Sequence, residues 1–120
     1  MKNQNQDLSV WLAELRASGK AIIVEGPKDK AALEHFGIPV AAVLSEQPLF
    51  AIAEEIAERN RHVIILTDLD AEGRKLYGKL VPLLKRLGVT IDTRFREFLL
   101  KETTLSHIEG LVRYAETVGA

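Results

Sequence analysis

A short apolar run in the middle of the chain ends in a cluster of alternating acids. The run and the turn after it read VIILTDLDAEG, Val63 to Gly73, and the acids are Asp68, Asp70 and Glu72. Branched apolar residues in a short run are typical of a buried strand, so the acids would lie in the turn at its carboxyl end. Carboxylates so close together repel one another. Their spacing therefore predicts a site for a hard divalent cation, Mg²⁺ or Mn²⁺, which prefers oxygen ligands.

A second apolar run has the same organisation. Ala21 to Val24 is followed by Glu25, by a turn at Gly26 and by a helix-like segment. In an open α/β sheet, ligands bind at the carboxyl ends of the parallel strands, where the strand order reverses. If both runs are strands of one such sheet, Glu25 meets Asp68 and Asp70 at that edge, despite the long stretch of chain between them.

Strand-like and helix-like segments alternate along the chain. The predicted strands cover about residues 20–25, 40–44, 61–67 and 89–95. The predicted helices cover about residues 7–18, 27–36, a third segment capped by Ser45, 71–87 and 104–118. This alternation predicts an α/β fold, a Rossmann-like open sheet of about four parallel strands flanked by helices. If the second and third strands lie on opposite sides of the first, the strand order reverses between Glu25 and Asp68.

The two strand-ending motifs together resemble the Toprim family, a catalytic domain of topoisomerases, bacterial-type primases, some repair nucleases and the maturases of 5S ribosomal RNA. The matching motifs are VEG, Val24 to Gly26, and TDLDAEG, Thr67 to Gly73, and the resemblance covers roughly Lys20 to Asp92. The early VEGPKD and the late LSHIEGLVRY, Leu105 to Tyr114, are most similar to small stand-alone Toprim proteins grouped with the 5S maturases. The resemblance implies the Toprim fold and a single Toprim domain over residues 1–120.

The candidate catalytic residues are Glu25, Asp68 and Asp70. The two aspartates would hold one or two metal ions beside a phosphodiester. The resemblance implies that Glu25 is a general acid or base or a further metal ligand. Glu72 is a fourth candidate metal ligand. The alternative is that these acids are solvated helix caps, and that Glu72 only complements the dipole of the following helix.

Predicted nucleic-acid contacts lie beside the acids and in a later basic segment. They are Gly26, Lys28, Lys30, Gly73, Arg74, Lys75, Arg94 and Arg96. The glycines would let the backbone approach a phosphate closely, and a helix N-terminus favours anions. The alternative for each basic residue is solvated helix surface. His107 is a further candidate for phosphate contact by the resemblance.

The basic segment runs from Arg74 to Lys101. It holds eight basic and two acidic residues, although the whole chain has a formal charge of −1. Within it, RFREFLLK interleaves Phe95 and Phe98 with basic residues, a pattern that can stack bases and hold phosphates. The alternative is that both aromatic rings belong to the core.

Composition excludes several function classes. The chain has no cysteine, which excludes a disulfide framework, a thiolate zinc site and a thiol nucleophile. No run approaches the roughly 20 apolar residues of a membrane span, and the first residues do not resemble a signal peptide. We therefore expect a cytoplasmic protein that does not contact membranes.

Together these patterns predict a Mg²⁺- or Mn²⁺-dependent Toprim nuclease or phosphotransferase, a metal-dependent endonuclease acting on nucleic-acid phosphodiesters. RNA is favoured over DNA, and the expected substrate is structured RNA such as a 5S ribosomal RNA precursor. The alternative is a non-catalytic or partner-dependent Toprim module that binds nucleic acid in an RNA-processing or DNA replication and repair assembly. In that case a protein partner would supply substrate recognition.

Overall fold

The computed structural model describes the backbone of residues 4–120 and the side chains of residues 7–120. The helices are α1 (Gln4–Ala17), α2 (Pro27–His35), α3 (Leu49–Arg59), α4 (Ala71–Arg86), α5 (Arg94–Glu102) and α6 (Leu111–Val118). The strands are β1 (Ala21–Val24), β2 (Ala42–Val43), β3 (His62–Leu66) and β4 (Thr90–Ile91). Short 3-10 turns occupy Leu44–Glu46 and Ile108–Gly110.

The four strands form one parallel sheet in the order β2-β1-β3-β4. The predicted α/β class is therefore confirmed, and so is the reversal of strand order between β1 and β3. Val24 is paired with Leu66 at the carboxyl ends of these strands. This register places Glu25 beside Thr67, directly at the reversal point, where an open α/β sheet binds its ligands.

The sheet has a hydrophobic core on each face, because successive side chains of a strand point to opposite sides. Ile22 and Ile64 face a core built with α1, α2, α5 and α6, whereas Ile23 and Ile65 face a core built with α3 and α4. All four of these isoleucines are nearly inaccessible to solvent. The two central strands are thus fixed from both faces, which holds the residues at their ends in place.

The predicted fourth strand is wrong beyond its first residues. Strand β4 ends at Ile91, and the residues from Arg94 onward form helix α5. The branched residues Val89 and Ile91 favoured a strand, but Phe95 and Leu99 lie four residues apart and bury one helical face in the core. The indole N–H of Trp11 also donates to the carbonyl of Phe95, 2.9 Å away, which ties α5 to α1.

Two predicted helix starts are also wrong. Ser45 lies in a 3-10 turn instead of capping α3, which begins at Leu49 after Pro48. The final helix α6 begins at Leu111, and residues 103–107 before the second 3-10 turn are not helical. Hydrogen bonds to another part of the fold hold this last stretch, as described below. The prediction of a single domain over residues 1–120 stays a prediction.

Within residues 4–120, no helix has the length and apolar character needed to cross a membrane.

Candidate active site

Glu25 follows the last residue of β1 and is joined to the end of the neighbouring strand. Its Oε1 accepts a hydrogen bond from the backbone N–H of Asp68, at 3.1 Å. Burial raises the pKa of Glu25 above its ordinary value, against the opposing effect of this hydrogen bond. The negative charges of Asp68, Asp70 and Glu72 raise the pKa further. Glu25 is therefore easier to protonate than a surface glutamate, which suits a group that exchanges protons.

Asp68 is a buried carboxylate, with 8% of its surface exposed. Its Oδ1 accepts the backbone N–H of Ile108 at 2.9 Å. Burial raises the pKa of this carboxyl group, although the hydrogen bond and the nearby His107 oppose the increase. An isolated buried carboxylate is costly, so this residue needs either a proton or a positive partner.

Asp70 caps the N-terminus of α4. Its Oδ1 accepts the backbone N–H of Gly73 at 2.8 Å, while its Oδ2 lies 3.2 Å from Nε2 of His107. The hydroxyl of Thr67 donates to the carbonyl of Gly73 at 2.9 Å. The turn between β3 and α4 is therefore held by its own side chains, with one oxygen of Asp70 directed toward His107.

Gly73 is required here by close packing. A Cβ atom at this position would overlap the backbone carbonyl group of Asp68. The first turn of α4 therefore rests directly against the loop that carries the acids. The sequence predicted Gly73 as a site of close approach to phosphate, whereas the structure places the close approach within the protein. Gly26, by contrast, has only Asp29 near its would-be Cβ, at an ordinary contact distance of 3.7 Å.

The stretch that leads into the second 3-10 turn contacts the acidic loop, and we call residues 105–108, of which Ile108 begins that turn, the covering segment. The backbone N–H of Leu69 donates to the carbonyl of Ser106 at 2.9 Å, and Ile108 donates to Asp68 as described. These two bonds lie on either side of His107 along the chain. The covering segment thereby brings a histidine to the acids from a part of the sequence that we had expected to be helical.

The structure groups three side chains that could hold a metal ion. Ligand atoms of Asp68, Asp70 and His107 all lie within 4.8 Å of one another. Glu25 is bonded to the backbone of the same loop, and Glu72 is exposed in the first turn of α4; neither belongs to this group of three. The metal roles of Glu25 and Glu72 stay predictions. Carboxylates and an imidazole are a donor set that divalent metal ions accept, so these residues fit such an ion.

Asp29 is a site residue that sequence analysis missed. It lies in the first turn of α2 with 5% of its surface exposed, and its Oδ2 accepts the backbone N–H of Gly26 at 2.9 Å. Burial, followed by the charge of Asp68, raises the pKa of Asp29 to about 6. The signal available in the sequence was an acid three residues after a Gly-Pro helix start, which we interpreted only as part of a helix.

The basic residues predicted to contact nucleic acid fall into two groups. Lys28, Arg74 and Lys75 are exposed in the first turns of α2 and α4, the helices that begin at the acidic edge, and Lys30 is half-buried there. Their contact with phosphate stays a prediction. They lie at the ends of these helices that favour anions, next to the carboxylates.

Arg96 and Arg94 have different surroundings. Arg96 is buried, donates to the carbonyl of Asp68 at 2.8 Å and stacks on the ring of Tyr77. It therefore holds the acidic loop in position, which differs from the predicted phosphate contact. Arg94 is exposed but pairs with Asp92 at 2.9 Å. The backbone of Asp92 bonds to Val63 near the start of β3, whereas the acids follow its end.

The interleaved aromatic residues belong to the core side of the molecule. Phe95 is 3% exposed and meets Trp11 edge-on, and the partly buried Phe98 stacks against the same indole. For Phe95 the core alternative is therefore confirmed over base stacking.

Known proteins match this chain over most of its length. The family model of the Toprim domain matches residues 20–97. A UPF0292 protein of Methanocaldococcus jannaschii is 31% identical over 105 residues, which cover 84% of this chain and 82% of that protein. A UPF0292 protein of Pyrococcus abyssi is 41% identical over 99 residues, which cover 82% of this chain and 74% of that protein.

Two solved structures share the fold. A protein from Aquifex aeolicus superposes with a TM-score of 0.79 at 36% identity, over 85% of this chain and 95% of that chain. The zinc-binding and RNA polymerase domains of the Aquifex aeolicus primase give a TM-score of 0.54 at 30% identity. That match covers 88% of this chain but only 27% of the primase chain, so it concerns one portion of the primase.

Proposed function

This chain belongs to the Toprim domain family, and from that membership we propose that it is a metal-dependent nuclease or phosphotransferase acting on nucleic-acid phosphodiesters. Its family and its similarity to a portion of a primase make it a nucleic-acid-related module. That the chain cleaves phosphodiesters, that it uses a metal ion to do so and that its substrate is RNA are our proposals.

The observation that carries the proposal is the convergence of Glu25, Asp68 and Asp70 at the reversal of strand order. Glu25 comes from β1 and the aspartates follow β3, yet Glu25 is hydrogen-bonded to the backbone of Asp68. Asp68 is buried, and ligand atoms of Asp68, Asp70 and His107 lie within 4.8 Å of one another. Helix capping accounts for Asp70, whose Oδ1 accepts the N–H of Gly73, but it does not account for the buried Asp68, which lies before the cap position of α4.

Asp68 and Asp70 would hold the divalent ion, which supplies a Lewis acid and a site that lowers the pKa of a bound water. Each aspartate has one oxygen fixed by a backbone N–H, from Ile108 or from Gly73. These bonds fix the carboxylate planes before any ligand arrives. The guanidinium of Arg96 holds the same loop by donating hydrogen bonds to the backbone carbonyls of Thr67 and Asp68. The backbone thus orients both acids through one oxygen each, while Oδ2 of Asp70 faces His107, 3.2 Å away.

We assign proton transfer to Glu25. In hydrolysis it would accept the proton of the attacking water while a new phosphorus–oxygen bond forms and the bond to the leaving oxygen breaks. Its raised pKa keeps the carboxylate a better base than a solvated glutamate. The exposed Lys28, Arg74 and Lys75 would contact the phosphates that flank the cleaved one.

For the substrate we propose structured RNA, such as a 5S ribosomal RNA precursor. The similarity of VEGPKD and LSHIEGLVRY to the small Toprim proteins grouped with 5S maturases supports this choice over DNA. We further propose a cytoplasmic location, in keeping with the absence of cysteine from the sequence.

The test is cleavage of end-labelled 5S precursor RNA, an unrelated structured RNA and single-stranded DNA, each with Mg²⁺, Mn²⁺ or EDTA. Asp68→Asn is assayed in parallel, with Glu54→Gln on the exposed surface of α3 as the matched control. We expect metal-dependent cutting that Asp68→Asn abolishes and Glu54→Gln retains. RNA or DNA retained in the presence of metal without any product would instead identify the partner-dependent binding module.

A further inference from the structure

We propose that His107 is the third protein ligand of the metal site and that its nitrogen makes the site prefer Mn²⁺ to Mg²⁺. This inference rests on the metal site of the proposed function, and it identifies the metal and a ligand that the acidic motifs do not include.

The first observation is the position of the imidazole. Nε2 of His107 lies 3.2 Å from Oδ2 of Asp70, and ligand atoms of Asp68, Asp70 and His107 lie within 4.8 Å of one another. Two donors that each sit about 2.1 Å from one ion are roughly 3 Å apart when adjacent and roughly 4 Å apart when opposite. The 3.2 Å separation of Asp70 and His107 matches adjacent ligands of one ion. The 4.8 Å limit for the group exceeds the spacing of opposite ligands by under about 1 Å, so small side-chain shifts would bring all three ligand atoms onto one ion.

The second observation is a carboxylate oxygen of a buried residue that has no hydrogen-bond donor within the described side chains. Asp68 is 8% exposed, and its Oδ1 bonds to the N–H of Ile108. No hydrogen bond from residues 7–120 reaches its Oδ2. The charge of a buried carboxylate is costly unless a positive partner compensates it, and a cation in the group of three would do so through this oxygen.

The third observation is that the backbone fixes His107 on both sides. Ser106 accepts the N–H of Leu69, and Ile108 donates to Asp68, so the residues before and after His107 are both bonded to the acidic loop. His107 itself has extended backbone angles, with φ of −131° and ψ of 138°. These two bonds hold the backbone of His107 against the loop that carries the acids, which keeps its imidazole close to Asp68 and Asp70.

A nitrogen ligand changes which metal the site prefers. Mg²⁺ is hard and takes oxygen ligands, whereas imidazole binds first-row transition ions more readily. Mn²⁺ accepts carboxylates and an imidazole in one site and supports the same phosphate chemistry. We therefore expect loss of His107 to weaken Mn²⁺ binding strongly and Mg²⁺ binding little.

The experiment measures the bound metal directly. Metal-free wild type, His107→Ala and the control His62→Ala are titrated with Mn²⁺ and, in competition, with Mg²⁺, using the electron paramagnetic resonance signal of free Mn²⁺. His62 is an exposed histidine at the opposite, N-terminal end of β3. Pulsed spectra of bound Mn²⁺ report whether an imidazole nitrogen is coordinated, and this readout on wild type needs no variant to fold.

We expect nitrogen modulation in wild type and in His62→Ala but not in His107→Ala. Mn²⁺ affinity should fall about tenfold or more in His107→Ala, with Mg²⁺ affinity changed less than about twofold. Wild-type spectra without nitrogen coupling, or an unchanged ratio of Mn²⁺ to Mg²⁺ affinity in His107→Ala, would reduce His107 to an ion-pair partner of Asp70 and overturn the inference.

These outcomes separate the ligand from the activity. Nitrogen-coupled Mn²⁺ in a protein that cleaves no nucleic acid would support the ligand assignment while removing the nuclease. Cleavage with equal Mg²⁺ and Mn²⁺ dependence and no nitrogen coupling would leave the nuclease and overturn the role of His107.

Discussion

The side chain of Glu25 accepts a hydrogen bond from the backbone N–H of Asp68, 43 residues later in the chain, at 3.1 Å. This single bond joins the carboxyl ends of the two central strands at the place where the strand order reverses. It fixes the distance between the proposed proton acceptor and the proposed metal ligands. A substitution of Glu25 that keeps this hydrogen bond but cannot transfer a proton should therefore preserve the fold and remove the activity.

Gly73→Ala should disrupt the site, because the added methyl group would overlap the carbonyl of Asp68. Gly78→Ala, in the same helix, is the matched control, since a Cβ there meets nothing within 4 Å. We expect the control to be neutral or to stabilise the protein by about 0.5–1 kcal/mol, and Gly73→Ala to destabilise it by more than about 2 kcal/mol. Urea unfolding measures both; equal stabilities would contradict the close packing.

Asp29→Asn should stabilise the metal-free protein at neutral and higher pH. The folded state raises the pKa of Asp29 from 3.8 to about 6 by burial and by repulsion from Asp68. Between these values the unfolded chain loses its proton first, so stability falls as the pH rises, and the full penalty is present above the folded pKa. The amide removes the charge and can still accept the N–H of Gly26.

The expected gain from Asp29→Asn is about 1–3 kcal/mol at about pH 8 and close to zero at about pH 4. The measurement is urea unfolding of both proteins in EDTA at the two pH values. A variant that is less stable than wild type at the higher pH would show that a positive partner compensates this charge in the folded protein.

Asp92→Asn should have the opposite effect. The carboxylate of Asp92 pairs with Lys20 at 2.7 Å and with Arg94 at 2.9 Å, and hydrogen bonds from Arg94 and Lys20 hold its pKa well below the ordinary range. A lowered folded pKa contributes stability above the unfolded pKa, and this contribution is lost as the pH falls. We expect a loss of about 1–3 kcal/mol at neutral pH that shrinks under acid conditions.

The measurement for Asp92→Asn is the same pair of unfolding curves, at neutral pH and at about pH 3, which lies below the unfolded pKa of an aspartate. A loss that stays constant between these two conditions would contradict the assignment of the effect to charge.

Arg74 and Lys75 should contribute to nucleic-acid binding through phosphates. Both are exposed where α4 begins, beside the acids. Lys85 is an exposed lysine near the other end of the same helix and is about 15 Å further along its axis, so Lys85→Ala is the control. Each lost phosphate contact should reduce the slope of log affinity against log salt by about 1. Filter binding of structured RNA at several salt concentrations measures this, and equal slopes for Arg74→Ala and Lys85→Ala would contradict it.

The sequence predicted those parts of the fold that local patterns determine. The strand-turn-helix units around Glu25 and Asp68 begin with apolar runs, so general rules of α/β topology predicted parallel strands whose carboxyl ends share one edge. The reversal of strand order between the acids was predicted only on the condition that β2 and β3 lie on opposite sides of β1, and the structure fulfils that condition. Helix α4 ran from Ala71 almost as far as predicted, because its apolar face and its cap lie within its own residues.

The parts of the fold and of the site that the sequence did not predict depend on contacts between residues far apart in the chain. Residues 105–107 of the covering segment are not α-helical: the N–H of Ile108 bonds to Asp68 and the carbonyl of Ser106 bonds to Leu69, interactions that no local pattern encodes. Arg96 looked like a surface contact because its burial depends on carbonyls far back in the chain. Asp29 was missed for the same reason, since only the fold places Asp68 beside it.

The most direct test of the account is single-turnover cleavage of structured RNA by Glu25→Gln, with Glu54→Gln as control. Glutamine keeps an oxygen that can accept the N–H of Asp68, so the fold and RNA affinity should stay within about twofold of wild type, while the rate falls by about 10²–10⁴ because proton transfer is lost. A Glu25→Gln rate equal to that of the Glu54→Gln control would contradict the proposed role of Glu25 in catalysis.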